Sequence, residues 1–296
     1  MVDIVDAHVH VWDIRRHSLP WLQGEGSTLN RTWSAADYSG EVERGTRHGY
    51  RIVKAMYIEV DRAYEEREQE NEEVVRLIRS GETPFKGACI SGDLTSPEFE
   101  GYIRKWARKA EVRGVRQVLH VPSAKPGTCL GVQFIKNVRL LGALGLVFEG
   151  CVRNPELADL AELARGCPET TIVLDHMGIV DADVMGSQSP TKEERGYRER
   201  HITRMRELGG LDNVICKVSG LNPVRPWDVS TLKRSVDATL DSFPSDRVMF
   251  ASNFPVLNVS MTLDQWVCAM LRITEGMPSW KREALFSGNA CRVYKI

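Results

Sequence analysis

The residues best able to do chemistry begin near position 8. The segment DAHVHVWD (6–13) sets His8 and His10 two apart inside an apolar run. Residues Ile4 to Val11 read as a β-strand, because Ile4, Val5, Val9 and Val11 are β-branched and no proline interrupts them. Side chains at i and i+2 of a strand share a face, so the two imidazoles aim the same way, with Cα atoms roughly 6.6 Å apart. Two imidazoles so spaced can converge on one metal ion or one polar substrate. An isolated HxH is more often a pair of satisfied core histidines, so the rest of the chain must decide.

Other polar residues recur at the ends of apolar runs: Glu59 and Asp61, Ser91 and Asp93, Arg116 and His120, Glu149 and Arg153, Asp175 and His176, Lys217 and Ser219, Ser252 and Asn253. Carboxylates, imidazoles and cations in such places are costly to bury unless paired or used. Their number favours a site, with His8, His10 and His176 at its centre. On a strand Asp175 faces away from its neighbour His176 and reads as structural. His17, His48 and His201 fall on expected loops or helices and read as solvated.

The elements that must position these residues alternate. Apolar runs cover 4–11, 50–60, 85–94, 112–119, 144–152, 170–176, 213–220 and 247–255. Amphipathic stretches such as 65–80, 96–110, 154–166, 197–209 and 228–243 lie between them, with Ser96, Asn154 and Asp228 as candidate N-caps. Strands apolar on both faces, alternating with helices, mean a parallel sheet. Eight such repeats in 296 residues fit a single α/β domain (1–296), a (β/α)8 TIM barrel. No glycine-rich phosphate loop follows a strand, which weakens a dinucleotide-binding sheet. Residues 12–49 form the longest irregular connection, and its WLQGEG segment reads as part of a lid or rim. The site of such a barrel lies at the C-terminal ends of its strands, which is where the polar residues collect.

The bulk numbers exclude other classes. Net charge is −1, with none of the basic stripe that nucleic-acid binding needs. No apolar run approaches 18 residues, and Asp3 and Asp6 stand where a secretory leader would be apolar. Seven scattered cysteines without a CxxC pair fit reduced thiols, so a cytoplasmic location is expected. The expected partner is a small-molecule substrate; a homo-oligomer is left open.

The segments DAHVHVWD, VLDHMG, KVSGL and RVMFASNFPV, in that order, together with HVHVWDIRRHSLPWL and RGVRQVLH, resemble the amidohydrolase superfamily. More narrowly they resemble its lactonase-like branch, which includes sugar-lactone hydrolases, 2-pyrone-4,6-dicarboxylate lactonase and sulfomuconolactone hydrolase. The resemblance spans essentially the whole chain. It implies a (β/α)8 barrel that hydrolyses a cyclic ester. His8 and His10 match the family's strand-1 pair and His176 its strand-6 histidine. Position 253 matches the strand-8 acid that activates water in most members, yet here it is Asn253. A carboxamide cannot take a proton near neutral pH, but it can orient a water or a carbonyl.

Zinc can activate water and polarise a carbonyl, and His8, His10 and His176 offer three nitrogens with Glu59 as a possible fourth ligand. Some relatives work without metal, and Arg116 or Lys217 can then polarise the lactone carbonyl. Both routes stand open. Arg116, His120, Glu149, Arg153 and Lys217 are the candidate substrate contacts; Arg225 reads rather as a surface ion pair. Trp12 and Trp21 read equally as ring-stacking or packing residues. The alternatives to a lactonase are a metal-dependent decarboxylase of the same superfamily and a catalytically impaired binding barrel, the latter favoured by Asn253.

Overall fold

A computed structural model of the chain describes residues 1–22 and 27–296. The eight apolar runs become parallel strands: β1 (Val2–Val9), β2 (Tyr50–Ile58), β3 (Phe85–Ser91), β4 (Val112–Val118), β5 (Val147–Cys151), β6 (Ile172–Leu174), β7 (Val214–Val218) and β8 (Val248–Phe250). They pair in sequence order. The circle closes just past the strand ends, where His10 N–H donates to Phe254 O at 2.7 Å and Asn253 N–H to His8 O at 2.9 Å. A helix follows each strand: α1 (Ala35–Gly45), α2 (Arg67–Ser80), α3 (Phe99–Trp106), α4 (Val132–Ala143), α5 (Leu157–Gly166), α6 (Lys192–Gly209), α7 (Val229–Leu240) and α8 (Leu263–Ile273). A last helix, α9 (Asn289–Tyr294), lies under the barrel. This is the (β/α)8 barrel expected.

Apolar burial falls into two regions. A large layer fills the space between strands and helices. A smaller cluster fills the barrel interior, with Val5, Ala7, Ile58, Val173, Ile215 and Met249 among its members, and α9 adds Ala290 and Tyr294 as a floor. That floor closes the bottom and leaves the mouth as the place for polar groups.

Several local expectations change. Residues 12–49 are not wholly irregular, because α1 lies there behind a capping box in which Ser34 and Asp37 satisfy each other's backbone N–H groups. Its sequence AADYSGEVERG has a glycine and few apolar residues, so periodicity gives little sign of it. Of the WLQGEG rim, Trp21 and Leu22 are described and residues 23–26 lie outside the described residues. Asp228 caps α7 as expected. Ser96 and Asn154 do not cap, since α3 and α5 start later, behind Glu98 and Glu156. His48 is exposed beside Asp264. His201 is buried instead of solvated, with Asn154 Nδ2 at 3.0 Å from its Nδ1. The His17 side chain is also largely covered, 3.1 Å from Glu73.

Candidate active site

Strand parity decides which side chains enter the mouth. Val5 and Ala7 of β1 face the interior. The β1–β2 register then breaks between Asp6 and Val9, and beyond this break His8 and His10 bring their Nε2 atoms to 3.0 Å. Asp6 anchors the turn by accepting from Tyr38 OH at 2.9 Å and Ser252 N–H at 2.8 Å. On β6, Val173 points inward, so Asp175 does too. His176 would then face outward, but its φ of 55° swings it back over the mouth. There it lies with its ring centroid 4.5 Å from that of His8 and its Nδ1 2.9 Å from Ser219 Oγ. Asp175 therefore lies among the candidate site residues, where the sequence reads it as structural. Its carboxylate Oδ1 is 3.3 Å from both His8 Nδ1 and Lys217 Nζ.

A cavity of about 230 Å³ opens above this cluster. His10, His176, Arg116, His120 and Asn253 line it, together with Asp61, Cys151, Asn222 and an aliphatic wall that includes Val60 and Val118. Trp21 lines it as well and donates its indole N–H to Val60 O at 2.7 Å. Trp12 does not reach it; it is buried and bonded to Arg31 O. Larger surface grooves exist, of about 500 Å³ beside α3 and about 800 Å³ beside α7, but no histidine lines either.

Other expected site residues sit elsewhere. Glu59 is not with the histidines: its carboxylate takes Arg116 Nε at 2.5 Å and Asp61 N–H at 2.7 Å. Glu149 and Lys217 are fully buried, ion-paired beneath the cavity, and so are not positioned to touch substrate. Arg153 is spent on Glu156 and on the carbonyls of Val121 and Ala124, bracing the β4–α4 loop. Arg225 is exposed and donates its backbone N–H to Asp183.

A profile of the amidohydrolase family matches residues 5–296. The chain belongs to the amidohydrolase family. Among curated relatives, the L-fucono-1,5-lactonase of Burkholderia multivorans is 24% identical over 306 residues, covering 99% of this chain and 96% of its own. A crystal structure of an amidohydrolase from Burkholderia multivorans with bound zinc superposes with a TM-score of 0.85, at 24% identity and 99% coverage of both chains. A putative 2-pyrone-4,6-dicarboxylic acid hydrolase from Pseudomonas putida superposes with a TM-score of 0.70 at 18% identity, covering 100% of this chain and 98% of that one.

In this amidohydrolase the imidazoles are held neutral. Burial pushes His176 down to about 4. Burial also lowers His8, aided by the Lys217 ammonium, and lowers His10, aided by Arg116. Burial alone would raise Asp175, but Lys217 and His8 override it and keep the carboxylate well below its usual range. Burial raises Glu149 to about 7 against the pull of Lys217. Neutral histidines have one bare nitrogen each, and the contacts say which. His10 Nδ1 is 2.9 Å from Ile58 O. A carbonyl only accepts, so Nδ1 carries the proton and Nε2 is bare. The His8 Nε2 facing it then donates, and His8 Nδ1 is bare toward Lys217 Nζ at 3.2 Å. In that arrangement His8 gives Asp175 no hydrogen bond; Oδ1 keeps its ion pair with Lys217 at 3.3 Å, and Oδ2 is buried without a donor.

That orphaned Oδ2 bears on metal binding. His8, Asp175 and His176 each offer a ligand atom within 4.8 Å of the others, and His10 presents its bare Nε2 to His8 at 3.0 Å. Nitrogen and carboxylate donors with an open side suit a catalytic divalent ion, and the Nδ1–H to Ile58 O bond is the kind of outer contact that orients a ligating histidine. The residues fit such an ion, with Asp175 where Glu59 had been expected.

Proposed function

We propose that this amidohydrolase opens a small lactone with water at the barrel mouth. The observation that carries the reading is a cluster of three buried histidines and the Asp175 carboxylate beneath a cavity whose wall presents Arg116. Lactone opening needs water deprotonated, an oxyanion stabilised as the carbonyl becomes tetrahedral, and a proton returned to the ring oxygen as its C–O bond breaks. Ser219 holds His176 Nδ1, which leaves Nε2 toward the cavity to take the proton from water and return it to the leaving alkoxide. Arg116 is tied to Glu59 through Nε and Nη2, so Nη1 is the end left to polarise the carbonyl. Asn253 Oδ1 is buried without a donor and suits a water hydrogen. His120 stands at the rim as a contact for the rest of the substrate. Glu149, Lys217 and Arg153 support the site from behind.

As the alternative to that route, His8, Asp175 and His176, with His10 beside them, would hold a single divalent ion such as zinc, His176 then serving as a ligand and not as the base. When bound, such an ion lowers the pKa of water to about 7 and polarises the carbonyl. A sugar-acid lactone and an aromatic-derived lactone both satisfy this chemistry.

The test is a panel of lactones, including L-fucono-1,5-lactone and 2-pyrone-4,6-dicarboxylate, followed by a pH indicator, because ring opening releases a proton. His8→Ala and His176→Ala should each lower kcat/KM by about 10²–10⁴ with the protein still folded. Turnover near wild type in both variants, or no turnover of any lactone by wild type, would remove the reading.

A further inference from the structure

The cavity over the histidines is small for a ligand site. At about 230 Å³ it falls below the roughly 300 Å³ at which small-molecule pockets usually begin. A second cavity, of about 250 Å³, adjoins it over the ends of β2, β3 and β4. The two share Asp61, Val118 and Val121 as lining residues, so Asp61 stands at their junction. Taken together they reach the ordinary size of a ligand pocket.

The side cavity is polar, and its polar groups are not used up by one another. Asp61 has a φ of 51°, and its backbone N–H donates to Glu59 Oε2 at 2.7 Å. The backbone thus fixes this turn, and the Asp61 carboxylate has no hydrogen-bond donor among the described residues. Arg67, the first residue of α2, lines the same space. Its Nε is buried without an acceptor. Its guanidinium makes no ion pair among the described residues and rests 4.5 Å from the centre of the Tyr64 ring. Gln117 accepts Leu94 N–H at 2.7 Å through its carbonyl, which leaves its NH₂ group as a donor. Ser91 adds a hydroxyl. Donors buried without a partner are costly to a fold that gains nothing from them.

The charges say what such a cavity accepts. Glu59 is on its wall but is neutralised by Arg116. Asp61 and Arg67 then balance, so the space carries no net charge. A chain reaching in from the histidines passes beside Asp61, where an anion is repelled. A hydroxyl suits both ends, since it can donate to the carboxylate and accept from the guanidinium.

We propose that the side cavity is a subsite for a hydroxylated exocyclic chain, with Asp61 and Arg67 as its specificity-determining residues. The substrate is then a neutral lactone whose ring lies over the histidines and whose polyol tail extends over β2, β3 and β4. The substrate class rests on the lactonase reading, whereas the subsite rests on the cavity.

The experiment compares three 1,4-lactones, each in both enantiomeric series, with full-length protein. Galactono-1,4-lactone carries a two-carbon diol tail, threono-1,4-lactone has the same ring hydroxyls and no tail, and galactaro-1,4-lactone ends its tail in a carboxylate. Wild type should open the diol-tailed lactone with kcat/KM at least about tenfold above the other two, the worth of one hydrogen bond to a charged group. Arg67→Ala and Asp61→Gly should each shrink the galactono-to-threono ratio by about tenfold. Glycine adopts the positive φ of position 61 freely, and the two variants lie on different elements, so either serves if the other does not fold. A wild-type ratio of one or less, or a ratio unchanged in the variants, would overturn the subsite. Preference for the carboxylate-tailed lactone would overturn the neutral tail. Binding is measured separately by calorimetry with the galactono- and threono-1,4-lactams, whose amide resists opening. If wild type opens no lactone, the lactonase reading fails, and tighter binding of the tailed lactam that is lost in both variants still supports the subsite. Equal binding of the two lactams, or binding of neither, would overturn it.

Discussion

Asn253 stands at the position that matches the family's strand-8 acid, and its surroundings say what a carboxamide can do there. Its backbone N–H bonds His8 O and its side-chain oxygen has no donor. If the site already has its base in His176, an added carboxylate brings an anion into the cavity and repels an incoming hydroxide. Asn253→Asp is then expected to cause a modest loss or a shifted pH profile. If the chain is instead a binder that has lost its base, the same change should raise lactone hydrolysis on the order of a hundredfold, the typical worth of a general base. The ratio of kcat/KM between variant and wild type on the best lactone separates the two.

The strand-to-helix turns carry the backbone strain of the molecule. Among the described residues, the non-glycine positions with positive φ are Asp61, His176, Met177, Ile179, Asn253 and Lys295. All but Lys295 follow β2, β6 or β8 at the mouth. Left-handed residues cost of order 1–3 kcal/mol each and persist where the surroundings over-determine them; here the gain is that His176 and Asn253 re-enter the cavity. Gly220, after β7, makes the necessary room, because a Cβ there would stand 2.5 Å from His176 Cβ and its φ is +69°. Gly220→Ala should displace His176 and lower kcat/KM by at least about tenfold, with a stability loss of about 1–2 kcal/mol from the backbone alone. Wild-type kcat/KM in that variant would show that His176 need not sit where it does.

Across the whole molecule, buried titratable groups pull stability in opposite directions with pH. His201, outside the cavity lining and beside Tyr197 and Asn154, is pushed by burial down to about 4 from an ordinary 6.5. Between those values the unfolded chain binds a proton that the folded chain refuses, so this residue's contribution to stability falls as pH drops from 6.5 toward 4, by about 3 kcal/mol in all. Glu70 and Glu149, raised by burial to about 7, act the other way, favouring the folded state as they protonate. His201→Phe isolates one side of that balance. Urea titrations between pH 4.5 and 6 should show the slope of unfolding free energy against pH falling by up to about 1.4 kcal/mol per unit. An unchanged slope would mean that His201 titrates alike folded and unfolded.

The alternation of apolar runs and helices specified the barrel from sequence alone, because period-2 and period-3.6 patterns report burial directly. The same reasoning placed polar residues at the strand ends, and so found His10, Arg116, His120, His176 and Asn253 around one cavity, with His8 buried beneath it. What it could not assign was direction. Every residue of Ile172–Val173–Leu174 is apolar, so nothing in the sequence says which face Asp175 shares, and it reads as structural although it lies against His8. Charges carry no label of their partners either: Glu59 reads as a free ligand until the fold brings Arg116 to it from 57 residues away. Glu149 and Lys217 sit at strand ends like the others, yet their depth in the barrel, and the hydroxyl of Tyr294 beneath them, follow from the closure of eight strands around one axis. Local pattern is written in neighbouring residues, whereas depth, pairing and proton position depend on contacts between residues distant in the chain, such as Asp6 with Ser252, 246 apart, which exist only once the barrel has closed.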